Sequence, residues 1–179
     1  MGLLSIEHSK LAYFGDLVAY AIAVTAMAVW LSWAGQSSQA PVLWLAALLG
    51  LLAWSPVEYL VHRFVLHGLE PFRSWHAVHH QRPRALIGAP TLLTMPAFFG
   101  LVFVPLWWLS DVRLACAFTM GLVGGYLVYA IVHHAAHHWH VRLPSLQQRK
   151  RTHAMHHSDQ GGRGRYGVTS GLWDRIGRT

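Results

Sequence analysis

Histidine is the residue type in this chain best suited to chemistry. The chain holds 14 histidines in 179 residues, and all except His8 and His140 fall in four short clusters. These are His62-Arg-Phe-Val-Leu-His67, His76-Ala-Val-His79-His80, His133-His134-Ala-Ala-His137-His138 and His153-Ala-Met-His156-His157. In the second and fourth clusters the spacing i, i+3, i+4 projects three imidazoles from one side of a helix. His133 and His137 are one turn apart, and so are His134 and His138. His62 and His67 are five apart, about 140° around an ideal helix. They reach one site only if the helix end is distorted; otherwise they serve two neighbouring ions. Neutral imidazole is a good ligand for zinc, copper, iron and nickel. A lone histidine in apolar surroundings is ordinarily a packing residue, but two copies of His-x-x-His-His with two further His pairs point to a metal site. One ion takes about four to six ligands, so ten to twelve converging histidines suit two ions.

Carboxylates are scarce near these clusters: Glu58, Glu70, Asp159 and Asp174 are the local candidates. Glu58 stands one helical turn before His62. It is placed either to orient that imidazole through its second nitrogen, as outer carboxylates commonly do, or to act as a helix-end charge. Cys116 is the only cysteine, which excludes an intrachain disulfide, an iron–sulfur cluster and a cysteine zinc site. A zinc pair would suit hydrolysis by bound hydroxide, and an iron pair would suit dioxygen activation and attack on an unactivated C–H bond. Histidine spacing alone does not separate the two.

The elements that must carry these clusters are apolar. The chain is 54% hydrophobic and 12% charged, against about 25% charged in an average soluble protein. No Asp, Glu, Lys or Arg occurs from Leu17 to Val57, from Ala85 to Ser110 or from Leu114 to Val132. The first stretch is broken only by Gly35-Gln36-Ser37-Ser38-Gln39 before Pro41. A membrane-crossing helix needs about 20 apolar residues, so four spans are expected, near residues 13–34, 41–61, 89–110 and 113–133. The first is long for a leader and lacks a basic run before it, and is read as a retained helix. Of the 14 Lys and Arg residues only Arg113 falls in a loop opposite the others. By the positive-inside rule, both termini, residues 62–88 and residues 134–179 are expected to be cytosolic. Trp30, Trp33, Trp44, Trp107 and Trp108 then form a belt at the outer interface. The formal net charge of +7 gathers on the cytosolic side. Nucleic acid is not an expected partner of a four-span protein; anionic headgroups or an acidic soluble protein are. Residues 140–152 read as a basic helix after Pro144, and Gly161-Gly162-Arg163-Gly164 as a loop. Gly121, Gly124 and Gly125 offer the small-residue spacing of close helix packing.

The pattern resembles the fatty acid hydroxylase and sterol desaturase superfamily, and within it the fatty acid 2-hydroxylase branch. Beyond the histidines, the resemblance rests on Glu58-Tyr59-x-x-His62-Arg63-Phe64-x-x-His67, on Ala89-Pro90-Thr91 and on Tyr166-Gly167-Val168-Thr169-Ser170-x-Leu172-Trp173-Asp174. It covers about residues 56–179. It implies an all-α integral membrane protein, a single domain over residues 1–179, with four transmembrane helices and a helical cytosolic cap holding a histidine-rich di-metal centre. The implied metal ligands are His62, His67, His76, His79, His80, His133, His137, His153, His156 and His157. Glu58, His134, His138, Asp159 and Asp174 become candidates for the shell around them. The implied cofactor is two iron ions, with zinc as a substitute in purified material. The implied reaction is hydroxylation of a fatty acid or lipid acyl chain with O2. No cytochrome b5 segment is recognisable, so electrons are expected from a separate donor of cytochrome b5 or ferredoxin type. Carotenoid hydroxylases share a similar histidine set, so a carotenoid or sterol hydroxylase or desaturase is the enzymatic alternative. A membrane metal-binding or transport protein is the non-enzymatic one. Transport predicts ionisable residues along the middle of the spans, whereas these histidines gather at one end. Arg outnumbers Lys, which suggests a GC-rich bacterial genome and an inner-membrane location.

Overall fold

The computed structural model describes residues 6–34, 38–140, 142–158 and 164–179. Asp159, the polar segment from Gly35 to Ser37 and the glycines 161–162 lie outside the described residues. The described chain is almost wholly helical, with α1 Lys10–Ala34, α2 Ala40–Leu60, a π-helical turn Val61–Leu66, and α3 Phe72–Gln81. There follow α4 Thr91–Phe98, a second π-helical turn Phe99–Phe103, α5 Val104–Leu109, α6 Val112–His138, α7 Pro144–Ser158 and α8 Leu172–Gly177.

Four helical runs are long and apolar enough to cross a bilayer: Lys10–Ala34, Ala40–Leu66, Thr91–Leu109 and Val112–His138. They coincide with the four expected spans. Most ends agree within three residues, but the second run continues to Leu66 and the fourth to His138, where the sequence suggested 61 and 133. Both extensions carry histidines, which stay helical because a neutral imidazole interrupts no backbone bond. The apolar surface fits a lipid solvent. Val18, Ile22 and Val29 on α1, Leu45, Leu48, Leu49 and Leu52 on α2, and Phe99, Leu101 and Trp108 in the third run are exposed. An exposed patch that large is foreign to a soluble monomer. The chain is an integral membrane protein.

It divides into two compact units, residues 1–54 with 88–127, and residues 55–87 with 128–179. In the first unit Leu31, Leu43, Ala46, Ala47, Cys116, Ala117 and Met120 form the core. Gly121 stands so close to α2 that a Cβ there would fall on the Ala47 carbonyl. Only glycine permits that approach, which brings α2 and α6 to backbone contact. Next to it Tyr20, Trp54, Phe98 and Tyr126 pack ring edge to ring face, and Tyr20 shares a hydrogen bond with Thr94. The second unit contains all four histidine clusters.

Candidate metal centre

Four elements supply the site: the π-turn after α2, α3, the last turns of α6, and α7. The π-turn answers the five-residue spacing. The His67 N–H donates to the His62 carbonyl at 3.2 Å, an i→i+5 bond that stacks one residue above the other. Their rings come within 5.1 Å, centroid to centroid.

Ten imidazoles converge as two groups of five. The first is His62, His67, His76, His80 and His156; the second is His79, His133, His137, His153 and His157. Within each group the ligand nitrogens all lie within 4.8 Å of one another. The two His-x-x-His-His helices are each split between the groups, although the spacing suggested one three-histidine face. On α3, His76 and His80 join the first group and His79 the second; on α7, His153 and His157 join the second and His156 the first. Residues i and i+4 are about 40° apart on a helix while i+3 and i+4 are about 100° apart, so i and i+4 share a focus and i+3 points to the neighbouring one.

The nitrogens are packed as ligands are. Nε2–Nε2 separations are 3.0 Å for His62–His76, 3.0 Å for His76–His80 and 3.1 Å for His67–His156. In the second group they are 3.1 Å for His79–His133, 2.8 Å for His137–His153 and 3.1 Å for His153–His157. With metal–nitrogen bonds of about 2.1 Å, adjacent ligands of an octahedron are about 3.0 Å apart and those of a tetrahedron about 3.4 Å. Five lone pairs focused this tightly, with no carboxylate in either group, suit a cation at each focus.

Protonation favours the same role. Burial first, and then the neighbouring imidazoles, push His67 down to about 4, His80 and His157 to about 3, and His79 to about 2. His76 and His153 are held well below the ordinary range, again by burial first. These rings are therefore neutral at physiological pH and keep a lone pair for a metal. In the first group two tautomers are set by the backbone. His62 Nδ1–H donates to the Tyr166 carbonyl at 2.6 Å and His156 Nδ1–H to the Gly164 carbonyl at 2.7 Å. Both Nε2 atoms are then bare and face the group.

The outer candidates take other places. Glu58 is buried, and of the two roles its one-turn spacing left open, orienting His62 falls to the Tyr166 carbonyl, the partner of that ring's Nδ1. Its carboxylate instead accepts the N–H groups of Val168 at 2.6 Å and Thr169 at 2.9 Å, and the Thr169 hydroxyl. Asp174 accepts the N–H groups of Tyr166 at 2.7 Å and Gly167 at 3.0 Å. Gly167 is tightly enclosed, and a Cβ there would meet the Ser170 carbonyl. His134 and His138 stack on each other at 4.5 Å and belong to neither group. Glu70 is exposed, pairs with Arg73 at 2.7 Å and accepts the Ser74 N–H near the start of α3. The carbonyls of Gly164 and Tyr166 were not legible as site atoms. The Tyr-Gly-Val-Thr-Ser signature marks their neighbourhood, but no side-chain pattern identifies a backbone acceptor.

A helical membrane protein with two groups of five imidazoles has the ligand set of a histidine-rich membrane metalloprotein. Comparison with known families is more specific. The model of the family described as fatty acid hydroxylase matches residues 47–179, and the chain belongs to that family. It is 31% identical over 151 residues to a dihydroceramide fatty acyl 2-hydroxylase of Arabidopsis thaliana, covering 76% of this chain and 60% of that protein. It is 31% identical over 140 residues to a fatty acid 2-hydroxylase of Rattus norvegicus, covering 71% and 37%. A ceramide very long chain fatty acid hydroxylase of Schizosaccharomyces pombe is 30% identical over 141 residues, covering 72% and 40%. The chain thus spans 60% or less of the length of these relatives. Its fold is that of a solved structure described as full-length scs7p with only the hydroxylase domain visible. The TM-score is 0.76 at 23% identity, covering 94% of this chain and 66% of that one.

Proposed function

We propose that this chain is a membrane monooxygenase that hydroxylates the acyl chain of a fatty acid or lipid, next to the carboxyl end, with O2 as oxidant. The observation that carries this is the pair of five-imidazole groups in a chain whose relatives are named as acyl 2-hydroxylases. We assign one iron ion to each group, with the ten histidines as ligands and residues 1–179 working as one catalytic unit. Five donors in each group favour iron over structural zinc, which is held by four. Two such irons supply dioxygen activation and oxidation of an unactivated C–H bond.

The chain's own residues do the positioning. Tyr166 and Gly164 hold two imidazoles in the ligand tautomer, and Glu58 and Asp174 hold the segment that carries those carbonyls. Both termini and the histidine segments face the cytosol in this reading, on the one-sided distribution of Lys and Arg. The electron donor is a separate acidic protein of cytochrome b5 or ferredoxin type, attracted by the net positive charge. Assignment to a bacterial inner membrane rests on the excess of Arg over Lys; the relatives named above are eukaryotic.

Mass spectrometry of total lipids tests the reading. Cells expressing the chain are expected to gain one oxygen on an acyl chain at the 2-position, and cells expressing His156→Ala to gain none while the protein still inserts in the membrane. Full product from His156→Ala would overturn the metal assignment. Loss of two hydrogens would replace hydroxylation by desaturation, and oxygen on a supplied carotenoid would replace the acyl substrate.

A further inference from the structure

The two groups match in their five nitrogens but not in what supports them. In the first, one short backbone stretch holds two rings: the Gly164 carbonyl takes the Nδ1–H of His156 and the Tyr166 carbonyl takes that of His62. Those rings come from α7 and the π-turn, 94 residues apart in sequence (156 minus 62), so the stretch brackets the group across its two most distant elements. The bracket is itself shaped against preference at one residue. Gly164 has φ of 82°, which glycine adopts freely, but Arg165 has φ of 58°, a left-handed conformation disfavoured for a residue with a side chain.

Two buried carboxylates offset that cost. Four consecutive amides, Tyr166, Gly167, Val168 and Thr169, all donate to carboxylate oxygens: the first two to Asp174 and the last two to Glu58. Charge-assisted bonds of this kind are about twice as strong as neutral ones, and both acceptors are almost fully buried. In the second group the Nδ1 atoms of His79 and His153 are equally buried, yet have no protein acceptor among the described residues.

We propose that the two groups differ in metal affinity, that the group of His62, His67, His76, His80 and His156 takes the first ion, and that Glu58 and Asp174 are positioning residues that set this order through the 164–169 bracket. The inference rests on the two-ion reading above. Its physical basis is preorganisation. A ring whose Nδ1–H is already fixed presents a bare Nε2 before the metal arrives. A ring without such a partner must select tautomer and orientation on binding, and that ordering subtracts from affinity.

The test is metal binding to the full chain in detergent, stripped by a chelator and titrated anaerobically with ferrous iron against a chromophoric competitor. The wild type is expected to bind two ions in unequal steps, the first at least about tenfold tighter. Glu58→Ala is expected to weaken the tight step by about 10–100-fold, the usual cost of losing an outer partner, and to leave the weak step in place. His133→Ala is expected to remove the weak step and spare the tight one. Glu58→Gln is expected to restore the tight step to within about threefold of wild type, because its carbonyl still accepts both amides and the Thr169 hydroxyl can turn to accept from its NH2. Two equal steps, a tight step lost in His133→Ala, or equal weakening of both steps in Glu58→Ala would overturn the proposed order while leaving two ions in place. A single ion in the wild type would instead overturn the two-ion reading itself.

Discussion

His67 donates its backbone N–H to the carbonyl of His62, five residues earlier, at 3.2 Å. That single π-type bond lets two histidines with the wrong α-helical spacing serve one group. In a regular helix they would stand about 140° apart. The extra residue in the turn brings them into register, consistent with the tendency of π-turns to occur at functional sites.

Removing that extra residue is the direct check. Deletion of Val65 would let the turn close into an α-helix and place His62 and the former His67 at i, i+4, but would shift every following residue, α3 included, by one position relative to α2. The expected outcome is loss of the ion held by the first group, which draws four of its five rings from the turn and α3, with the second ion, which takes only His79 from α3, retained more weakly. Elemental analysis of purified protein reads this as a fall from two ions to one.

The acid sensitivity of the fold follows from the same rings. In the folded chain His67, His80, His157 and His79 titrate at about 4, 3, 3 and 2, below their ordinary value of 6.5. Below pH 6.5 the unfolded chain therefore binds protons that the folded chain refuses, and stability falls as the pH drops. The stability is fully present above 6.5 and is lost progressively as pH falls through 4 towards 2. Melting of the metal-free chain by circular dichroism should show a clearly lower midpoint at pH 5 than at pH 7.5. A midpoint that does not change over that interval would contradict the neutral-imidazole assignment.

The contact of α2 with α6 depends on a missing side chain. Gly121→Leu would drive its Cβ into the Ala47 carbonyl and force the helices apart. Overpacking of this kind costs about 1–3 kcal/mol, so a lowered melting temperature is expected in detergent, with the histidine groups keeping their metal. Calorimetry combined with metal analysis separates the two effects.

His134 and His138 pair with each other outside both groups. His138→Ala is therefore expected to leave both metal content and lipid hydroxylation at the wild-type level. Loss of one ion in this variant would show that the assignment of ligands on α6 is wrong.

Much of the fold was legible because its signals are local. Uninterrupted apolar runs mark the four spans regardless of what surrounds them, since the bilayer demands length and apolarity from each helix separately. The histidine clusters were legible for a similar reason, since their spacing is local, but the single three-histidine face it suggested is divided between two groups. Glu58 shows where such reasoning stops. Its one-turn distance from His62 left two roles open, orienting that ring or acting as a helix-end charge, yet its carboxylate accepts amides 110 and 111 residues away in sequence. A carboxylate binds whichever donors the tertiary fold brings to it, and backbone donors leave no mark in the sequence.

The sequence by itself determined the number of spans and the positions of the four histidine clusters, because these depend on composition and local spacing; choosing His133 and His137 over His134 and His138 took the family resemblance. Only the tertiary structure decided how those rings are shared. His76 and His80 turn to one focus and His79 to the other, His153 and His157 to the second and His156 to the first. It also supplied the Gly164 and Tyr166 carbonyls that hold two of the rings. Helical periodicity sets the angle between neighbouring side chains, but a shared focus is a distance between separate elements, and that distance exists only once the elements have packed.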